Sequence, residues 1–275
     1  MAAELPSSQA TLVLAGCGKM GSALLRGWIA SKPSWRFFVV EPEGPPPELA
    51  AASAVAWFRS PQEILEEAAP AAVLFAVKPQ LMDDVLPHYR RWAGAQTLFV
   101  SIVAGWTIAG ITVRLGAAPV IRTMPNMPAA IGRGITVACP NERVSTEQRQ
   151  LCDRLLAAVG ESAWVEDEAL LDAVTAVSGS GPAYVFLLIE ALAEAAELSG
   201  LPPDLALRLA RSTVAGSGEL ARVSSESPAQ LRESVTSPGG TTRAALDVLM
   251  AGDGLVPLIR RAVAAAAARS RQLAS

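Results

Sequence analysis

The sequence predicts an α/β protein: an N-terminal Rossmann-type doubly wound sheet followed by an all-α C-terminal dimerisation domain. Three observations carry this. Strand-like and helix-like patterns alternate from Thr11 to about Val165. A glycine turn with G-x-G-x-x-G spacing joins the first strand to the first helix. Beyond about Glu166 the strand signal stops, and a nearly all-apolar helix appears at Ala183–Ser199. Alternation of this kind predicts a parallel sheet with right-handed crossovers. A helix that is apolar almost all round has to be buried.

In chain order the strands are expected at Thr11–Ala15, Arg36–Val40, Val55–Phe58, Ala71–Ala76, Thr97–Val100, Val120–Thr123, Ile135–Cys139 and Ser162–Val165. Helices are expected near Met20–Ser31, Pro61–Ala69, Leu81–Trp92, Ile108–Leu115 and Thr146–Val159, with the Gly44–Pro47 loop breaking the second crossover. On Ala183–Ser199 the only charges are Glu190, Glu194 and Glu197, on one stripe at spacings of four and three. Gly200 and the Pro202-Pro203 pair end that helix. Helices near Asp204–Val223, Thr241–Ala251 and Leu255–Gln272 follow. The division predicted is 1–165 for dinucleotide binding and 166–275 for dimerisation and substrate. The second part is too short to bury its apolar surface alone, which points to packing between two chains.

The glycine turn is Gly16-Cys17-Gly18-Lys19-Met20-Gly21. Gly16 permits a tight turn, Gly18 lets the backbone approach a pyrophosphate, and Gly21 lets helix and strand pack closely. The helix N–H groups then face the negative charge. This reads as a nicotinamide or flavin dinucleotide site. Glu41, twenty positions past Gly21 at the end of the second strand, can accept hydrogen bonds from the adenosine ribose and would repel a 2′-phosphate. Glu43 adds negative charge, and no arginine follows through Pro47. By charge alone this favours NADH over NADPH.

Composition narrows the classes. Hydrophobic residues make up 51% and charged ones 18%, yet no uncharged apolar run of about 18 residues stands out as a bilayer span, so the surplus points to subunit interfaces. A net charge of −3 argues against nucleic acid. The start of the chain lacks the pattern of a signal peptide. Three widely spaced cysteines (Cys17, Cys139, Cys152) fit a reducing cytoplasm and neither a disulfide framework nor a metal site.

Candidates for proton transfer are scarce. His88 is the only histidine and reads as a surface residue, and the only lysines are Lys19, Lys32 and Lys78. A hydroxyacid dehydrogenase of this two-domain plan would need a lysine in the helical half, and there is none. The chemistry predicted is therefore hydride transfer that asks little of side-chain acids, such as reduction of an already protonated C=N bond. The second dense feature is Thr236-Ser237-Pro238-Gly239-Gly240-Thr241-Thr242, leading into Arg243–Leu249. A proline near the first helical position, two free glycine N–H groups and clustered hydroxyls would make this helix start a cradle for a small carboxylate.

Five motifs together resemble pyrroline-5-carboxylate reductases over nearly the whole chain. They are the Gly16–Gly21 turn, Ala76-Val77-Lys78-Pro79-Gln80, Arg122-Thr123-Met124-Pro125-Asn126-Met127-Pro128, Ser178-Gly179-Ser180-Gly181-Pro182-Ala183-Tyr184 and Thr236–Thr242. The resemblance implies reduction of Δ1-pyrroline-5-carboxylate to L-proline by NADPH or NADH. It implies an interlocked homodimer, often assembled into a ring of dimers, with active sites shared between the Rossmann domain of one chain and the helical domain of its partner. It implies that Gly16, Cys17, Gly18, Lys19, Met20 and Gly21 hold the pyrophosphate, with Glu41 at the ribose and Ala76, Val77, Lys78 and Pro79 flanking the nicotinamide. Ser237, Gly239, Gly240 and Thr241 would bind the substrate, with Asn126 and Ser180 as further contacts and the Thr242 hydroxyl nearest the imine nitrogen. Two departures stand out: Glu41 against the NADPH habit of the family, and Ser234 where some relatives carry asparagine.

Overall fold

The computed structural model describes residues 10–31, 35–65 and 69–273. Two compact units emerge, 1–179 with 267–275, and 180–266.

The first unit is built on an eight-stranded sheet in the order β3-β2-β1-β4-β5-β6-β7-β8. Its strands are β1 (Thr11–Ala15), β2 (Arg36–Val40), β3 (Val55–Phe58), β4 (Ala72–Phe75), β5 (Leu98–Ser101), β6 (Val120–Met124), β7 (Gly134–Pro140) and β8 (Gly160–Trp164). The Val-, Leu- and Phe-rich β1 and β4 are buried along their whole length, as parallel strands covered on both faces must be. Alternate residues feed two cores. Leu12, Leu14 and Leu74 pack to one side, with Leu24, Leu25 and Trp28 of α1 (Lys19–Ala30) and Leu155 of α4 (Thr146–Leu156). Val13, Ala15 and Phe75 pack to the other side with Tyr89 and Ile111. Trp28 fastens the first core: its ring stacks on Phe37 at 5.8 Å, and its Nε1–H donates to the Leu155 carbonyl at 2.8 Å.

The sheet is not wholly parallel. β7 runs antiparallel to β6, and β8 follows β7 in parallel. Only residues 125–133 join β6 to β7, fewer than the dozen or so that a crossover needs, so the chain can only turn back. The Asn126 Oδ1 accepts from the Ile135 N–H at 3.0 Å and closes that return.

The helix expected at Leu81–Trp92 is broken into a 3₁₀ turn at Pro79–Leu81, a short α2 (Met82–Val85) and a 3₁₀ stretch at Leu86–Trp92, where Pro87 brings no N–H for a continuous α ladder. The expected Pro61–Ala69 helix is a 3₁₀ turn at Pro61–Glu63, and its residues 66–68 lie outside the described ones. α3 (Ile108–Leu115) starts on a Thr107 cap. After β8, a short α5 (Leu170–Val174) runs into a π turn at Thr175–Gly179.

The second unit holds α6 (Gly181–Leu198), α7 (Pro203–Val223), α8 (Pro228–Ser234), α9 (Thr241–Leu249) and most of α10 (Leu255–Leu273). Among the residues of α6 to α9, only Ala193, Ala206 and Ala210 are buried. Val185, Phe186, Leu187 and Leu188 of α6 are exposed. By length and composition alone, Leu170–Leu198 is also apolar enough to cross a membrane.

Candidate functional site

A cleft of about 760 Å³ opens at the C-terminal ends of β1, β2, β3 and β4, the position at which open α/β sheets take their ligands. Gly16, Cys17 and Gly18, Glu41, and Ala76, Val77 and Lys78 all line it. Three segments far apart in the sequence thus meet in one place. Lys19, Met20 and Gly21 continue from the turn into α1, and Pro79 opens the 3₁₀ turn after Lys78.

The glycines have different tasks. Gly16 has φ +89°, and a Cβ there would sit 2.8 Å from the Ala76 carbonyl oxygen, so the turn is seated against the end of β4. A Cβ on Gly21 would meet the Gly16 oxygen at 2.4 Å. Around Gly18 nothing lies within 4 Å of such a Cβ. The backbone is therefore uncovered at the middle glycine of the turn. Gly18 is also the N-cap of α1 and supplies no side-chain cap, which leaves the first-turn N–H groups available to an anion.

Glu41 is half-buried at the end of β2. Its backbone N–H donates to the Phe58 carbonyl at 2.9 Å, and its Oε2 accepts from the Cys17 N–H at 2.7 Å. The Cys17 thiol is buried beside Ser22, whose hydroxyl donates to the Cys17 carbonyl at 2.8 Å. Burial pushes this thiol above its ordinary value and the nearby Glu41 charge adds to the rise, with the Ser22 bond working against them. Cys17 is packed as a small, buried side chain. The Trp106 Nε1–H donates to the Pro79 carbonyl at 2.9 Å and holds the turn after β4 in place.

The cleft also recruits residues that the sequence did not single out for it. Arg59, Ser60 and Gln62 arrive after β3, and Asp84 and His88 from the segment after β4. His88 Nδ1 lies 2.6 Å from Gln62 Nε2. His88 is a surface residue, as expected, but one that faces the cleft. In β6, Arg122 donates to Glu168 Oε1 at 2.8 Å, and the same oxygen accepts from the Ile108 N–H. The Arg122–Pro128 motif thereby contributes a nearly buried ion pair, and Asn126 contributes a side-chain oxygen engaged in the β6–β7 return.

The Thr236–Thr242 turn lies in the other unit. α9 begins at Thr241 with Gly240 as N-cap and no side-chain cap. Pro238 therefore precedes the cap and does not occupy the first helical position. Of the two glycine N–H groups expected to be free, that of Gly240 donates to the Ser237 carbonyl at 3.1 Å inside the turn. Gly239 carries a left-handed φ of +67°. Ser237 and Thr241 are exposed and Thr242 half-buried, so the hydroxyls stay clustered at an uncapped helix start. Ser180 sits at the N-cap of α6 without a side-chain cap. Among the described residues no group of three His, Cys, Asp or Glu side chains converges to hold a metal.

Comparison with known proteins gives a consistent picture. The family described as pyrroline-5-carboxylate reductase dimerisation matches residues 168–273, and that described as NADP oxidoreductase coenzyme F420-dependent matches 11–105. Pyrroline-5-carboxylate reductase of Pisum sativum is 38% identical over 271 residues, covering 97% of both chains. That of Pseudomonas aeruginosa is 44% identical over 203 residues, 74% of each. The structure of a Coxiella burnetii pyrroline-5-carboxylate reductase superposes with a TM-score of 0.89 at 32% identity, covering 98% of this chain and 100% of the other. The Plasmodium falciparum pyrroline carboxylate reductase, solved with NADP bound, gives 0.79 at 29%, with 97% and 98% covered.

Proposed function

The chain belongs to the pyrroline-5-carboxylate reductase family, and from that premise we propose which of its residues carry the reaction. Its activity is the NAD(P)H-dependent reduction of Δ1-pyrroline-5-carboxylate to L-proline, the last step of proline biosynthesis. One observation carries the cofactor assignment. A single cleft gathers the uncovered Gly18 backbone, the Glu41 carboxylate and the Ala76–Lys78 strand end. In that cleft Gly16 to Gly21 hold the pyrophosphate, Glu41 the adenosine ribose, and Ala76, Val77, Lys78 and Pro79 the nicotinamide half. The reductant is NADPH or NADH, and the Glu41 charge weighs toward NADH.

The bound nicotinamide supplies a hydride to the C=N carbon, and the protein supplies position. The uncapped start of α9 offers backbone N–H groups to the substrate carboxylate, with Ser237, Gly239 and Thr241 around it and Gly240 shaping the turn. The Thr242 hydroxyl orients the ring nitrogen, which enters already protonated, so no strong base is required. Asn126 and Ser180 border the substrate. We assign 1–165 to dinucleotide binding and 166–275 to dimerisation and substrate binding, in keeping with the match of the dimerisation family to 168–273.

The exposed apolar face of α6 is covered by a second copy in a homodimer at least, and rings of dimers are the further assembly we expect. Three free buried thiols suit a reducing cytoplasm. Steady-state kinetics with NADH and NADPH on pyrroline-5-carboxylate test the assignment. Turnover confined to hydroxyacid substrates would overturn it, as would sedimentation as a monomer for the dimer.

A further inference from the structure

We propose that Arg59 is the residue through which this chain receives the 2′-phosphate of NADPH, an inference that rests on the dinucleotide reading of the cleft. The glycine turn and the loop through Pro47 offer no arginine for this purpose. The sheet supplies one from elsewhere. β2 and β3 are parallel with Val40 opposite Phe58, so the next residues in register are Glu41 and Arg59. The Glu41 N–H to Phe58 carbonyl bond carries the pairing to that level. A carboxylate and a guanidinium therefore leave neighbouring strand ends side by side, and both line the same cleft.

The charges around them show why a cation is needed there. Glu41, Glu43 and Asp84 also line the cleft, and a phosphate added to the ribose would meet carboxylates unless a positive group stands next to it. Lys78 is the other fixed cation of the lining. It leaves the end of β4, three strands from β3, which at ~4.8 Å per strand puts its backbone about 14 Å away. Arg59 is the one at the ribose end. It is exposed, and among the described residues no carboxylate forms an ion pair with its guanidinium. Its backbone N–H is 3.4 Å from Glu63 Oε2, which tethers the main chain and leaves the side chain to the cleft. A guanidinium can bind a phosphate through two parallel N–H donors, and an arginine near the ribose is how Rossmann folds admit the 2′-phosphate. Glu41 and Arg59 thus act as a matched pair: one serves the ribose hydroxyls and the other makes the extra phosphate admissible.

Calorimetric titration of the full chain with adenosine 2′,5′-bisphosphate and with 5′-AMP tests this without turnover. The unaltered protein is expected to bind both. Arg59→Ala should weaken the bisphosphate at least tenfold more than 5′-AMP, and the NADPH-to-NADH ratio of kcat/KM should fall in parallel, with Arg59→Lys restoring part of both. Equal losses for the two nucleotides, or no loss for either, would overturn the role of Arg59. If the unaltered chain binds neither nucleotide, the reading of the cleft falls first and this inference with it.

Discussion

The Glu41 carboxylate accepts a 2.7 Å hydrogen bond from the Cys17 backbone N–H, tying the end of β2 to the turn after β1. The acidic group is therefore oriented before any nucleotide arrives, and its charge is held in the cleft at the end of β2. A carboxylate fixed this way accepts from ribose hydroxyls at little ordering cost and opposes a 2′-phosphate at short range.

Replacing Glu41 by serine or arginine should raise the NADPH-to-NADH ratio of kcat/KM on the order of tenfold, the size of one close charge repulsion in a partly solvated site. A ratio that stays flat refutes the charge argument.

Gly18 and Gly21 separate binding from folding. Gly18→Ala places a methyl where nothing lies within 4 Å, at an ordinary extended φ of −68°. The melting temperature should hold while NADH affinity, read by fluorescence titration, drops roughly tenfold or more from the lost approach to the phosphates. Gly21→Ala drives a methyl to 2.4 Å from the Gly16 carbonyl oxygen. It should lower stability by roughly 1–3 kcal/mol, the usual cost of overpacking. Identical behaviour of the two variants in melting and titration would contradict the division of labour among the glycines.

Thr242→Ala should reduce kcat by about 10- to 100-fold, the value of one hydrogen bond to a charged partner, ~1.5–3 kcal/mol. Cofactor affinity should change far less, since Thr242 is not among the residues that line the cleft. An unaltered kcat removes Thr242 from the chemistry.

The thiols carry a pH signature. Burial, aided by Glu168, pushes Cys139 up to about 11 from an ordinary 9.0. The folded protein therefore holds this proton more tightly than the unfolded chain does. Its contribution to stability is complete below pH 9 and is lost as pH rises from about 9 through about 11. Native protein at pH 8 should react slowly with a thiol reagent and quickly once urea unfolds it. Rapid labelling of Cys139 in the native state would falsify the buried assignment.

Much of this was legible because local chemistry and global fold agree along the first half of the chain. Strand runs, the glycine turn and Glu41 are each readable within a window of about thirty residues. What escaped the sequence is what only pairing across the sheet creates. Arg59 comes level with Glu41 because β3 lies beside β2, and no local pattern announces that. The antiparallel β7 could have been found by counting the residues between Met124 and Gly134 against the length of a crossover. α8 carried its own signal too: Ser227 and Gln230 form a capping box ahead of an unremarkable seven-residue helix. The engagement of the Gly240 N–H inside its own turn is likewise invisible in the residue pattern.

The seat of Gly16 against the Ala76 carbonyl makes a gauge block of the first and fourth strands. On the proposed reading, diphosphate and reducing ring would then take stations on two strand ends that touch directly. Enlarging Val77, whose Cγ1 stands 2.9 Å from the same phantom methyl, should be felt at both stations together.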